Sequence, residues 1–129
     1  ISGEDQTNNV MGMISVPLSV STYSPDLDTS AAAEKSSVTK ASAGNLYGFS
    51  ATNSNAAARY VQFFNSTTVP ADTTVPVIEF VIPANGHVMV EWPKGRYFST
   101  GIAWCFSTTS QAKTIITAAN DALVDVLYK

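Results

Sequence analysis

Reactive side chains are scarce in this chain. It has one histidine, His87, and one cysteine, Cys105, in 129 residues. A single cysteine excludes an internal disulfide. Cys105 sits in the apolar run Ile102–Phe106, the setting of a small buried hydrophobe rather than of a thiolate activated by a neighbouring base. Charge is equally thin. Charged residues make up 13% of the chain, against about 25% in ordinary globular domains. The seven Lys and Arg are scattered and the net charge is −3. Binding to a phosphate backbone needs clustered cations that release counterions, so nucleic acid is not an expected partner. No run approaches the roughly 18 apolar residues of a membrane span, so no membrane is expected either. The first nine residues are polar and acidic, unlike the basic start and apolar middle of a signal peptide.

These shortages remove most catalytic chemistry. A serine hydrolase needs a base beside its nucleophile. His87 is the one candidate base, it follows the Asn85-Gly86 turn, and no G-x-S-x-G turn exists. One His and one Cys cannot complete a zinc site. Asp26-Leu27-Asp28 offers two carboxylates but none of the further ligands of a calcium loop, and reads as a solvated loop. Neither phosphate-cradling glycine motif occurs. Glu79 and Glu91 are the one pair of interest for glycoside hydrolysis, which needs two carboxylates across a cleft. On neighbouring strands of a flat sheet they read instead as outward polar residues. The expectation is a chain with no enzyme activity, no cofactor and no metal.

What is present is serine, threonine and asparagine in place of charge, and short apolar runs separated by turn residues. Helical periodicity is nearly absent, and this punctuation predicts a sandwich or barrel. The chain reads as an all-β antiparallel β-sandwich, jelly-roll or immunoglobulin-like, with about seven to nine short strands and an extended N-terminal arm. Residues 1–37 form the arm and loop, the expected anchoring segment, and residues 38–129 the sandwich. Within the arm, Val10 to Val20 is an edge strand or extended piece, since Pro17 cannot donate to a ladder. Ser21 to Ser37 reads as a loop with one helical turn near Ala31–Lys35.

Strands are expected at Asn45–Thr52, Ala58–Asn65, Val75–Ile82, His87–Trp92, Arg96–Ser99 and Gly101–Ser107, and in a last strand where Val124, Val126 and Tyr128 alternate. Pro83-Ala84-Asn85-Gly86 is a tight-turn signal, so Val75 to Trp92 reads as an antiparallel hairpin. Pro93-Lys94-Gly95 reads as a further turn, Ser107–Lys113 as a polar loop, and Thr117–Asp121 as one turn of helix. Trp104 in register with Ile102 and Phe106, and Trp92 in register with Val88 and Val90, point to the core. An aromatic platform for sugar that includes Tyr97 is the weaker reading.

Several strands are apolar on both faces. Val77 and Val81 flank Glu79 opposite the face of Ile78, Phe80 and Ile82. A sandwich has one inner face per sheet, so something must cover the second. Either the chain's own N-terminal loop does so, or another subunit does.

Four segments then carry a resemblance: KASAGNLYGFSATN (40–53), AAARYVQFFNS (56–66), VPVIEFVIPANG (75–86) and GRYFSTGIAWCFSTT (95–109). Their content and spacing resemble small β-sandwich structural proteins, decoration- or cement-like, of tailed bacteriophages, over about two thirds of the chain. Residues 1–37 lie outside the resemblance. It implies a virion component on the capsid exterior: a decoration protein that bridges and stabilises subunits of the major capsid protein. A homo-oligomer is implied as well, with a trimer favoured. The alternative is a tail, collar or fibre accessory protein binding host glycan through Trp92 or Tyr97. A small glycan hydrolase using Glu79 and Glu91 is the enzymatic rival. The candidate interface residues are Val10, Met11, Met13, Ile14, Val16 and Leu18 in the arm, and Val77 and Val81 in the sandwich.

Overall fold

A computed structural model describes residues 25–29 and 32–129. Among the described residues there are eight strands: β1 (Asp26–Thr29), β2 (Ser36–Lys40), β3 (Gly44–Asn53), β4 (Arg59–Asn65), β5 (Ile78–Ile82), β6 (His87–Phe98), β7 (Ile102–Ser107) and β8 (Ala122–Tyr128). The one helical piece among the described residues is the 3-10 turn Ala119–Asp121, at the expected helical turn.

The strands make two four-stranded antiparallel sheets, ordered β1-β8-β3-β6 and β2-β7-β4-β5. The pairings β1–β8, β2–β7, β3–β6 and β4–β5 are nested, like a long hairpin wrapped around itself. Alternate pairs fall in opposite sheets, which is the jelly-roll order. An immunoglobulin-like sandwich would pair its first two strands; here β1 pairs with β8 instead. The class expected from the sequence is present, and its open choice of topology closes on the jelly roll.

Three local expectations change. Val75–Trp92 is not a hairpin. β5 pairs with β4 and β6 pairs with β3, so the Pro83–Gly86 turn carries the chain from one sheet to the other. The turn itself is as read: the Gly86 amide donates to the Pro83 carbonyl at 3.0 Å and Asn85 takes a φ of 50°. Buried Asn53 ties down this corner by donating from Nδ2 to the carbonyls of Ala57, Ile82 and Pro83. Alternation tells which face of a strand is buried, and a tight turn tells that the chain reverses; neither names the hydrogen-bonding neighbour.

Pro93-Lys94-Gly95 does not end a strand. It lies inside β6, where Glu91–Arg96 spans only Leu46–Gly48 of β3. Gly95 absorbs the excess with a φ of 81°, which a side chain would resist. Finally, residues 21–37 are not one loop. They contain β1 and the start of β2, and residues 32–35 are not helical. The division at residue 37 therefore runs through β2, and the sandwich begins no later than β1.

The core lies between the sheets. Leu46, Phe49 and Ala51 from β3 and Val124 and Val126 from β8 face Val61, Phe63, Ile78, Ile82, Ile102, Trp104 and Phe106. Phe49 is the ring that joins the layers. Its centroid lies 5.0 Å from Phe63 and 5.5 Å from Phe80 across the sandwich, and 6.1 Å from Trp92 in its own sheet. Trp104 is buried, and Trp92 packs against the core while half-buried. Truncation of Phe49 to alanine is expected to cost about 3–5 kcal/mol of unfolding free energy. Leu123→Ala, on the outer face of β8 and 48% exposed, should stay within about 0.5 kcal/mol. Urea denaturation measures both, and equal losses would contradict this placement of the core.

Candidate functional site

The sheet β2-β7-β4-β5 has an outer face that begins as a problem of burial. Gln62 and Phe64 of β4 point outward by strand alternation, as do Ala103, Cys105 and Ser107 of β7. All five are buried. Their cover is the chain that follows β7. It turns back on itself, with the Thr108 amide donating to the Thr114 carbonyl at 2.9 Å and Ser107 bridging to Ile115. Ile115 then packs with Val38 onto Phe64, Ala103 and Cys105. Among the described residues, the second apolar face is thus covered by the 107–116 loop, which the sequence presented only as a polar connection.

Two carboxylates pin the loop at its ends. Gln62 stands opposite Glu79 in the β4–β5 register. Its Nε2 donates to Glu79 Oε1 at 2.8 Å and to the Thr109 carbonyl at 3.1 Å. Glu79 also accepts from Ser110 Oγ at 2.6 Å and from the Gln111 amide at 2.8 Å. At the other end, buried Lys113 donates from Nζ to Asp72 at 2.6 Å, and the Ile115 amide reaches the same carboxylate at 3.3 Å. Backbone bonds between Lys113 and the pair Thr73 and Thr74 join the loop to the β4–β5 connection.

The electrostatics follow from this arrangement. Burial pushes the Glu79 carboxyl up, but the hydrogen bonds from Ser110, Gln111 and Gln62 outweigh it and leave its pKa below the ordinary glutamate value. Asp72 is lowered by its hydrogen bond from Lys113 and then by the Ile115 amide. Cys105 is pushed up to about 12, chiefly by burial. Its thiol faces Gln62 Oε1 at 3.7 Å, and it is the small hydrophobe its sequence context indicated.

What stays uncovered is the border of this face. Val77 and Val81 flank Glu79 on the outer side of β5, and they are 51% and 54% exposed. Val75, just before the strand, is 70% exposed. Shallow grooves run on both sides of the Val75–Val77 ridge, one toward Gln111 and the other toward Phe64 and Pro70. Among the described residues β5 pairs on one side only, with β4, so these valines decorate a sheet edge.

The outer face of the other sheet holds a second apolar surface that the sequence reading passed over. The registers align Leu27, Leu127, Gly48 and Glu91 in one row across β1, β8, β3 and β6, and Thr29, Asp125, Ser50 and Met89 in the next. Gly48 has no side chain, and a Cβ there would meet the Val90 carbonyl oxygen at 2.8 Å. The result is a trough floored by Gly48 and Ser50 and walled by Leu27, Leu127 and Met89. Leu27 is 61% exposed and Met89 65%. Part of the signal was legible, because Leu123 and Leu127 interleave with Val124 and Val126 along β8. Their alignment with Leu27 and Met89 depends on pairings between residues far apart in the chain.

The other candidates separate. Glu79 points out of one sheet and Glu91 out of the opposite sheet, so the two cannot flank one glycosidic bond, and the hydrolase built on that pair falls. Asp26 and Asp28 lie in β1 rather than in a loop. Among the described residues no group of three or more His, Cys, Asp or Glu converges to hold a metal ion. His87 is exposed, and Tyr97 is 66% exposed. Val10, Met11, Met13, Ile14, Val16 and Leu18 lie outside the described residues. No protein-family model, no curated protein and no solved structure matches the chain.

Two measurements check the loop and its anchors. Cys105 should resist alkylation by iodoacetamide at pH 8 in the folded protein and react fully in urea. Fast labelling of the native protein would show that the 107–116 cover is not closed. Glu79 and Asp72 have depressed pKa values in the fold, so the stability they add is present above their unfolded values. It is lost as the pH falls through the folded ones. Tm should therefore drop on acidification below about pH 4.5, and Glu79→Gln should flatten part of that drop. An unchanged acid slope in Glu79→Gln would remove Glu79 from the account.

Proposed function

We propose that this protein is a structural component of a bacteriophage virion. On this reading it is a decoration protein on the capsid exterior that bridges subunits of the major capsid protein and acts as a homo-oligomer, a trimer by family analogy. The observation that carries the reading is the exposed sheet edge at β5, where Val81 in the strand and Val75 and Val77 just before it are all more than half exposed. Large aliphatic side chains aligned on a free sheet edge are a liability for a solitary protein and a contact for one that assembles. An edge of this kind accepts an added strand, with main-chain hydrogen bonds for affinity and the valines for register.

Three further features support the reading. The sequence segments at 40–53, 56–66, 75–86 and 95–109 resemble those of virion proteins. The jelly roll is an architecture of viral capsid domains, although also of lectins and cupins. Sparse charge lets copies crowd on a lattice with little mutual repulsion. Each contact need only be weak. Full burial of a valine is worth about 1.5–3 kcal/mol at most, and a lattice of linked contacts multiplies the effect. Bridging copies then oppose the opening of seams between capsid subunits.

The second reading is a tail, collar or fibre component with host-glycan binding. Tyr97 favours it, because its ring is open to solvent while Trp92 packs on Phe49 and Phe80.

A capture experiment with undecorated capsids tests the first reading. Wild-type protein should bind at many regular lattice sites. The double variant Val77→Asp/Val81→Asp should bind roughly tenfold or more weakly, a loss of about 1.4 kcal/mol or more, with its Tm little changed. Full binding by that variant would remove β5 as the contact. Antibody label confined to tails in stained virions would overturn the capsid placement in favour of the second reading.

A further inference from the structure

From the trough on the outer face of the sheet β1-β8-β3-β6, we infer that this surface is the docking site for residues 10–20 of the same chain. The trough has an apolar wall of Leu27, Leu127 and Met89 and a floor lowered by Gly48. It is open to solvent, since Leu27 and Met89 are both more than 60% exposed. A wall of this kind needs an apolar occupant.

Three observations select this occupant. The described chain enters β1 at Pro25–Asp26, and β1 is the edge strand that carries Leu27, so the preceding residues join the fold at the rim of the trough. The sequence before it alternates. Ile14, Val16, Leu18 and Val20 occupy one parity, with Met13, Ser15, Pro17 and Ser19 on the other, which is the pattern of a segment with one apolar face. The reach is sufficient as well. Extended chain covers up to about 3.4 Å per residue and strands lie about 4.8 Å apart, so the residues joining Val20 to Pro25 span the three inter-strand gaps of the sheet. Pro17, which has no N–H to offer a ladder, fits a segment laid across a face through its side chains.

The inference is independent of the virion reading. It assigns the two outer faces to two parts of one chain, the 107–116 loop on one sheet and residues 10–20 on the other, and it leaves the β5 edge as the surface free for partners.

Disulfide trapping in the full chain tests it. Ile14→Cys, Val16→Cys and Leu18→Cys are each combined with Ser50→Cys on the trough floor, and separately with Val75→Cys beside the opposite sheet. Native Cys105 is buried and stays silent. Under mild oxidation at least one Ser50→Cys pair should close within the monomer roughly tenfold more than its Val75→Cys counterpart, because a docked segment has a high local concentration. Met89→Cys, at an exposed position on the trough wall, repeats the test should Ser50→Cys disturb the sheet. Equal closure to both sheets, or none, overturns the inference. Disulfide-linked dimers through Ser50→Cys also overturn it, since they would place the segment of a second copy in the trough.

Discussion

The burial of β7 on both of its faces is the constraint on which the rest of this structure depends. Every residue from Ile102 to Ser107 is buried. On the inner face Ile102, Trp104 and Phe106 fill the sandwich, as any central strand would. On the outer face Ala103, Cys105 and Ser107 need a lid, and a lid made of loop brings backbone amides and carbonyls that must find partners. Gln62 resolves this. It is fully buried on this outer face, and it links Glu79, the loop carbonyl of Thr109 and the Cys105 thiol. Ser107 does the same for the carbonyls of Thr109 and Ala112 and the amides of Thr109 and Thr114.

One consequence is chemical. Glu79 is the acceptor for three donors that hold the lid shut, and its lowered pKa keeps it ionised for that task. A second is spatial. The lid covers β4 and β7 and reaches β5 only at Glu79, so the apolar outer face continues past it as Val75, Val77 and Val81. The surface proposed for assembly is therefore the remainder of a face that the chain covers only in part.

The two sheets are unlike on their outer sides. One carries a pinned lid with buried polar joints. Among the described residues the other carries only side chains, with a glycine between Leu127 and Glu91. Phe49 holds the sheets together from the first to the second, touching Phe63 and Phe80 across the core. Interaction chemistry can thus reside on the outside without disturbing the packing between layers, because alternation separates the two sets of side chains within each strand.

The sequence by itself determined the class and the facing of individual strands. Short apolar runs between turn residues specify β structure, and the parity of Ile78, Phe80 and Ile82, or of Val88, Val90 and Trp92, specifies which side chains enter the core. It also indicated Trp104 and Cys105 as buried, and Val77 and Val81 as an apolar pair on the wrong face for a simple sandwich. Those are local properties, set by backbone pleat and residue type within a few positions. Only the tertiary structure decided which strands are neighbours. Asp26 pairs with Tyr128, and Ser36 with Cys105, and nothing in the alternation of either partner names the other. The same long-range pairing turned an apparent hairpin into a crossover, put Glu79 and Glu91 on opposite faces, made β1 and β2 strands out of a polar stretch, and assembled the trough from four separate segments. A strand's periodicity fixes what it buries, while its hydrogen-bonding partner is chosen by whichever edge the folded chain brings alongside.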